Sequence, residues 1–180
     1  MLPEEQSAWE KVDQDKFRDA RRLAEGVLEK HEGIIARYVL SIIQSESESN
    51  LPKALFIIRD ARARLEAKMT PADSESQSWH QKMLRHEMSI LAQLDRREEQ
   101  LALINLFETT HETKISELRI WPMVKLGQFD AARKLDKTLD KMLTDGSGEQ
   151  GVNWSSSKTD FHWEHYKWYD TYPEVMAVND

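Results

Sequence analysis

Two histidines three residues apart, in the run His162-Trp163-Glu164-His165, are the residues of this 180-residue chain best spaced for metal chemistry. On a helix they would share a face, and paired imidazoles suit zinc or nickel. Two ligands do not complete a site, however, and the stronger His-Glu-x-x-His signature is absent, so no metal is expected. A second group, His80 and His86 beside Glu87, carries general-base potential, but nothing in the sequence sets a nucleophile next to it. Carboxylate pairs such as Glu98-Glu99 read as surface charge. There is no phosphate-binding loop or Gly-x-Ser-x-Gly, and the one Gly-x-Gly-x-x-Gly, Gly146 to Gly151, falls in a Gly-rich joint with no strand expected before it. The expectation is a protein with no catalytic residues and no cofactor.

Charge and composition narrow the partners. The chain carries 32 acidic and 25 basic side chains, a net charge of −7. That balance argues against nucleic acid and against an anionic membrane surface. The nearest approach to a basic strip, Arg59, Arg62 and Arg64, is interleaved with Asp60 and Glu66 and reads as a solvated, charge-mixed helix. With no cysteine there is no disulfide or thiolate chemistry. The N-terminus lacks the basic and apolar regions of a secretory signal and no apolar run approaches 18 residues, so a cytoplasmic setting is expected.

Helices must hold these residues. Pro3-Glu4-Glu5 opens the first. Asp13 or Asp15 is placed to cap the second, whose stripe runs through Phe17, Ala20, Leu23, Ala24, Val27 and Leu28. Gly33 precedes a segment to Gln44 that is apolar on several faces, as in a helix covered on both sides. Asn50 with Pro52, and Asp73 after Thr70-Pro71, start the next two. Asp95-Arg96-Arg97 is a turn, and Pro122 should kink the helix containing Trp121. No alternating β-branched run occurs, so no sheet is expected.

Small residues then recur in a fixed local pattern. Phe17 and Ala20, then Leu51 and Ala54, stand 34 residues apart, and Gly127, Phe129 and Ala132 repeat the pattern with a glycine and Leu126 in front. In this the chain resembles the tetratricopeptide repeat family, in degenerate form and of bacterial type. The third unit is out of phase: Ala54 to Ala132 is 78 residues, an insertion of about ten. The resemblance implies an all-α, right-handed stack of about seven antiparallel helices, paired as hairpins in an α-solenoid over residues 1–145. A Gly-rich joint, 146–151, leads to an aromatic segment, 152–180, that carries Trp154, Phe161, Trp163, Tyr166, Trp168, Tyr169 and Tyr172. That segment is expected to cap the array as a C-terminal helix. Two other roles stay open for it: lying in a groove of the same or another chain, which would give self-association, or serving as a peptide ligand.

The resemblance further implies a concave groove, lined by forward helices, that holds a segment of another protein. Carried over by phase, its lining is Ala36, Val39 and Ile43, then Lys114, Glu117, Trp121 and Lys125. Trp79, Met83 and Glu87 are chosen from the helix face alone. Trp121 reads equally as a core residue. The expected function is a non-enzymatic scaffold for protein–protein interaction. The alternatives are a metal- or small-ligand-responsive helical regulator and a terminal fragment of a larger repeat protein.

Overall fold

A computed structural model describes residues 2–144, and every element among them is helical. The order is α1 (Pro3–Asp13), α2 (Phe17–Leu28), α3 (Ile34–Ile42), α4 (Leu51–Glu66), α5 (Ser74–Gln93), α6 (Arg97–His111), α7 (Ile120–Lys125) and α8 (Phe129–Thr144). A π turn, Ile43–Ser47, continues α3, and a 3-10 turn, Ser116–Arg119, precedes α7. There are thus eight α-helices among the described residues, and none is long and apolar enough to cross a membrane. The chain divides into two compact units, Met1–Leu103 and Ile104–Asp180, with the boundary inside α6. The Gly-rich joint, the aromatic segment and the His162/His165 pair lie outside the described residues.

Local chemistry explains the starts. Pro3 occupies the first turn of α1, where its missing N–H is not needed. Asn50 Oδ1 accepts from Lys53 N–H (3.2 Å) at α4, and Asp73 Oδ1 accepts from Ser76 N–H (3.1 Å) at α5. Neither Asp13 nor Asp15 caps α2. The residue before α2 is Lys16, which makes no side-chain cap bond, and Asp15 adopts a left-handed conformation, φ +56°.

That residue belongs to a closure used repeatedly. After α1, Asp15 N–H donates to Val12 O (2.8 Å) and Lys16 N–H to Lys11 O (2.8 Å). After α5, Asp95 (φ +57°) and Arg96 do the same to Ala92 O and Leu91 O. After α7, Gly127 (φ +71°) and Gln128 bond Val124 O and Met123 O. Each is a Schellman ending, in which one left-handed residue lets two amides satisfy the last carbonyls. After the π turn, Ser49 (φ +52°) takes the left-handed place and Asn50 N–H reaches Gln44 O (2.7 Å), one residue further back. In all four the next helix begins two residues on, at Phe17, Leu51, Arg97 and Phe129.

The sequence pattern marks three of these four starts. At the fourth, Arg97, Gln100 stands where the other three carry Ala20, Ala54 and Ala132. Those alanines are fully buried and Gln100 nearly so. The intervals Ala54 to Gln100 and Gln100 to Ala132 are 46 and 32 residues, so the extra length precedes Gln100, in the long α5. Pro122 does not kink its helix. Because α7 begins at Ile120, Pro122 falls in the first turn, where no intrahelical donor is required.

In the first unit α1 packs on α2 and α3, α2 on α3, α3 on α4, and α4 on α5. The middle helix of this set, α3, is buried through Ile35, Ala36, Tyr38, Val39, Ser41 and Ile42, so it presents apolar groups on several sides. Gly33 opens it at φ +58°. A β-carbon there would meet Leu28 Cδ2 at 2.6 Å and Val27 Cγ1 at 3.1 Å. Gly33→Ala is therefore expected to destabilise the chain by about 2 kcal/mol, from left-handed strain plus overpacking. Urea unfolding checks this, and a change below about 0.5 kcal/mol would remove both causes.

In the second unit α7 and α8 enclose Ile120, Val124, Ala132 and Leu139, flanked by Met123, Phe129 and Leu135. Glu108, on the last turns of α6, organises the segment before α7. It accepts from Ile115 N–H (3.0 Å) and from Arg119 Nη2 (2.6 Å). Burial pushes its carboxyl up, but these donors outweigh burial and hold it below the ordinary carboxylate value.

Candidate functional site

The first unit contains two polar centres and an aromatic one, each built across helices. The first polar centre surrounds Glu87 of α5, which is 1% exposed. Two arginines from one face of α4 reach it: Arg59 Nε at 2.7 Å and Arg62 Nε at 2.9 Å. Their spacing, three residues apart on a helix, brings both guanidinium groups to one carboxylate. Arg59 Nη2 continues to Glu99 of α6 (2.8 Å), and Arg62 Nη1 to Glu66 (2.6 Å). Glu66 Oε1 also lies 2.9 Å from Nε2 of the buried His80, so Nε2 carries the proton. Burial raises the Glu66 carboxyl, and the His80 and Arg62 hydrogen bonds more than reverse that. Two of the three arginines read as a solvated strip are thus tied to a buried acid on another helix, and Glu87, taken as a groove position, lies inside this network.

The second polar centre joins α3, α4 and α5. Ser41 is fully buried; its hydroxyl donates to Ala54 O (2.8 Å) and lies 3.1 Å from His86 Nε2. So a hydroxyl does stand beside this histidine. With the hydroxyl proton committed to Ala54, however, Nε2–H is the donor and Ser41 Oγ the acceptor. The polarity is the reverse of a nucleophile activated by a base, and no substrate reaches a fully buried hydroxyl. Burial lowers the His86 pKa from 6.5 to about 4. Between those values the unfolded chain binds the extra proton, so stability should fall by about 2 kcal/mol as pH drops from 6.5 towards 4. Urea unfolding of native and His86→Gln chains checks this. The variant should show a shallower pH dependence above pH 5, and equal slopes would refute the assignment.

The aromatic centre lies where α1, α3 and α5 meet. Trp9 stacks on Tyr38 (centroids 5.4 Å, planes at 29°) and meets Trp79 edge-on (5.1 Å, 83°); Tyr38 and Trp79 are 6.3 Å apart. The Tyr38 hydroxyl donates to Lys82 O (3.3 Å). Trp79 is 8% exposed and Trp9 is half-buried. Lys82 Nζ sits over both indoles, 4.3 Å from Trp79 and 5.0 Å from Trp9. Two indoles at nearly a right angle thus hold an ammonium in their corner, a cation–π arrangement. Beside it opens a cleft of about 430 Å³ that Trp79 also lines, with Glu5, Glu32, Asp73 and Glu75 against a single lysine, Lys68. Among the described residues no group of three or more His, Cys, Asp or Glu side chains is placed to hold a metal.

The residues expected to line a groove separate on this frame. Ala36, Val39, Ile43 and Met83 are buried in the core of the first unit, and Trp79 joins the aromatic centre. In the second unit Lys114 is exposed, 3.9 Å from Glu108, and Glu117 is half-buried. Trp121, 36% exposed, has Lys125 Nζ 5.2 Å above its ring, so these two are brought together at the surface. Trp9, Tyr38 and Lys82 were not selected by the sequence pattern. Trp9, Tyr38 and Trp79 stand 6, 11 and 16 residues before Asp15, Ser49 and Asp95, so no common phase marks them.

No family model, curated protein or solved structure matches the chain.

Proposed function

We propose that the chain is a non-enzymatic scaffold for protein–protein interaction, built as a tetratricopeptide-like, right-handed array of antiparallel helix hairpins. The observation that carries this reading is the contact of three forward helices, α1, α3 and α5, through Trp9, Tyr38 and Trp79 on one partly open face. The common closure of four hairpins supports the repeat architecture. Large, rigid aromatic side chains give contact area at little conformational cost, which makes them frequent anchors in interfaces. Helices that order such a face beforehand leave the partner segment to lose most of the entropy. A cytoplasmic setting and a capping role for residues 152–180 belong to the same proposal.

Site-specific photo-cross-linking tests it. A benzoylphenylalanine replacing Lys82 should capture a defined polypeptide that excess native chain displaces, while the same group replacing Arg18 on α2 should not. Equal capture at both positions would overturn the assignment of this face.

A further inference from the structure

We propose that the corner between Trp9 and Trp79 recognises an alkylammonium group, the lysine side chain of a partner polypeptide, and that Lys82 is its internal occupant in the free chain. This rests on the scaffold reading above and specifies the chemistry of its partner.

Three observations converge. First, the corner already accommodates an ammonium. Nζ of Lys82 lies within 5.0 Å of both indole centroids, and the rings stand 83° apart, so two negative π faces address one cation. Second, the occupant is replaceable. Lys82 is exposed and ends a flexible stem, whereas the walls are fixed: Trp79 is buried, and Trp9 is stacked on Tyr38. Third, the approach is acidic. The adjoining cleft is lined by Asp73 and Glu75, by Glu32, which pairs with Lys68 and Arg64, and by the buried Glu5, and Trp79 lines both cleft and corner. The charges of Glu46 and Asp13 add to burial in raising the Tyr38 phenol. This negative potential favours a cationic segment over an acidic one, in line with the net charge of −7.

Competition follows from this arrangement. A partner lysine must displace Lys82, which is held locally at high effective concentration. An N-methylated lysine competes best, because methylation keeps the charge while weakening the hydration that opposes entry into an aromatic corner.

The test uses the full 180-residue chain, labelled with 15N, and follows its six indole N–H signals. Trp9→Phe and Trp79→Phe assign the two of interest. Three probes are titrated: N-acetyl-lysine amide, its trimethylammonium derivative, and the uncharged tert-butyl isostere of that derivative. The trimethylammonium probe should shift the Trp9 and Trp79 signals saturably. It should bind about 5-fold more tightly than the isostere, and about 5-fold more tightly still when Lys82→Ala vacates the corner. Lys82→Gln, which keeps most of the stem and removes the charge, should act in the same direction and covers a loss of folding in the alanine variant. Equal binding of isostere and trimethylammonium probe would overturn the ammonium assignment while leaving an interaction face at these indoles. No shift of either indole in both Lys82 variants would overturn the site itself, and the cross-linking result then judges the scaffold reading independently.

Discussion

A chain carrying both Arg59→Met and Arg62→Met is expected to lose about 4 kcal/mol of stability at pH 7. The reason lies in Glu87. Its carboxylate is 1% exposed and is held by the Nε atoms of these two arginines, from a helix 25 and 28 residues away in sequence. Removing both leaves an ionised acid in the core without a counter-charge, which is far worse than never burying it. The single variants should be milder, because the remaining arginine still faces Glu87. Removing Glu87 should also be milder: Arg59 retains Glu99, Arg62 retains Glu66, and their side chains are 37% and 17% exposed. The decisive measurement is urea unfolding of the double variant and of the triple variant with Glu87→Met. The triple should recover most of the loss, since apolar groups of similar volume replace a buried ion network nearly neutrally. A double variant within about 1 kcal/mol of native would mean that Glu87 is not held as an isolated buried charge.

Glu5→Ala is expected to destabilise by about 3 kcal/mol, although Glu5 resembles an ordinary first-turn acid in the sequence. One carboxylate serves two helix starts. Oε2 accepts Leu2 N–H (3.1 Å) at α1, and Oε1 accepts Ile35 N–H (2.9 Å) and Ala36 N–H (3.2 Å) at α3. The buried acid thus lies at the positive end of a helix packed on its own. Alanine would leave three amides without this acceptor, two of them buried. Glu5→Gln keeps an acceptor oxygen and should lose only about 1 kcal/mol. Thermal and urea unfolding of the two variants separate these outcomes, and equal losses would show that the charge, rather than acceptance, is what matters.

The parts of this fold readable beforehand are those whose cause is local. Asn50 and Asp73 cap because their side chains reach amides three residues on, and that short reach is visible in the sequence. The all-helical character followed from periodicity of the same range. The helix start at Arg97 is unmarked in the sequence because Asp95 stands where Gly127 stands before α8, and Gln100 where Ala20, Ala54 and Ala132 follow the other starts. Pro122 was misplaced by a helix start, since a kink and a first-turn proline differ only in where the helix begins. The polar centres were hidden for another reason. A buried Glu87 and a solvated one look alike until Arg59 and Arg62 are known to face it. Ser41 and His86 meet across 45 residues with no motif to join them. The aromatic corner was hardest, because Trp9, Tyr38 and Trp79 sit at different heights on helices of unequal length.

The left-handed residues that close four helices leave headroom for engineering. Three of the four are Asp15, Ser49 and Asp95, each carrying a β-carbon in a geometry that glycine adopts freely. Exchanging Asp15 and Ser49 for glycine, the residue found at Gly127, should stabilise the chain by roughly 0.5 kcal/mol per site and raise its melting temperature, whereas Asp95 also accepts Arg97 Nε (2.7 Å) and its exchange would remove that partner. Calorimetry of the double exchange would reveal whether that reserve exists; a lowered midpoint would mean that the aspartate and serine side chains contribute more to these turns than their β-carbons cost.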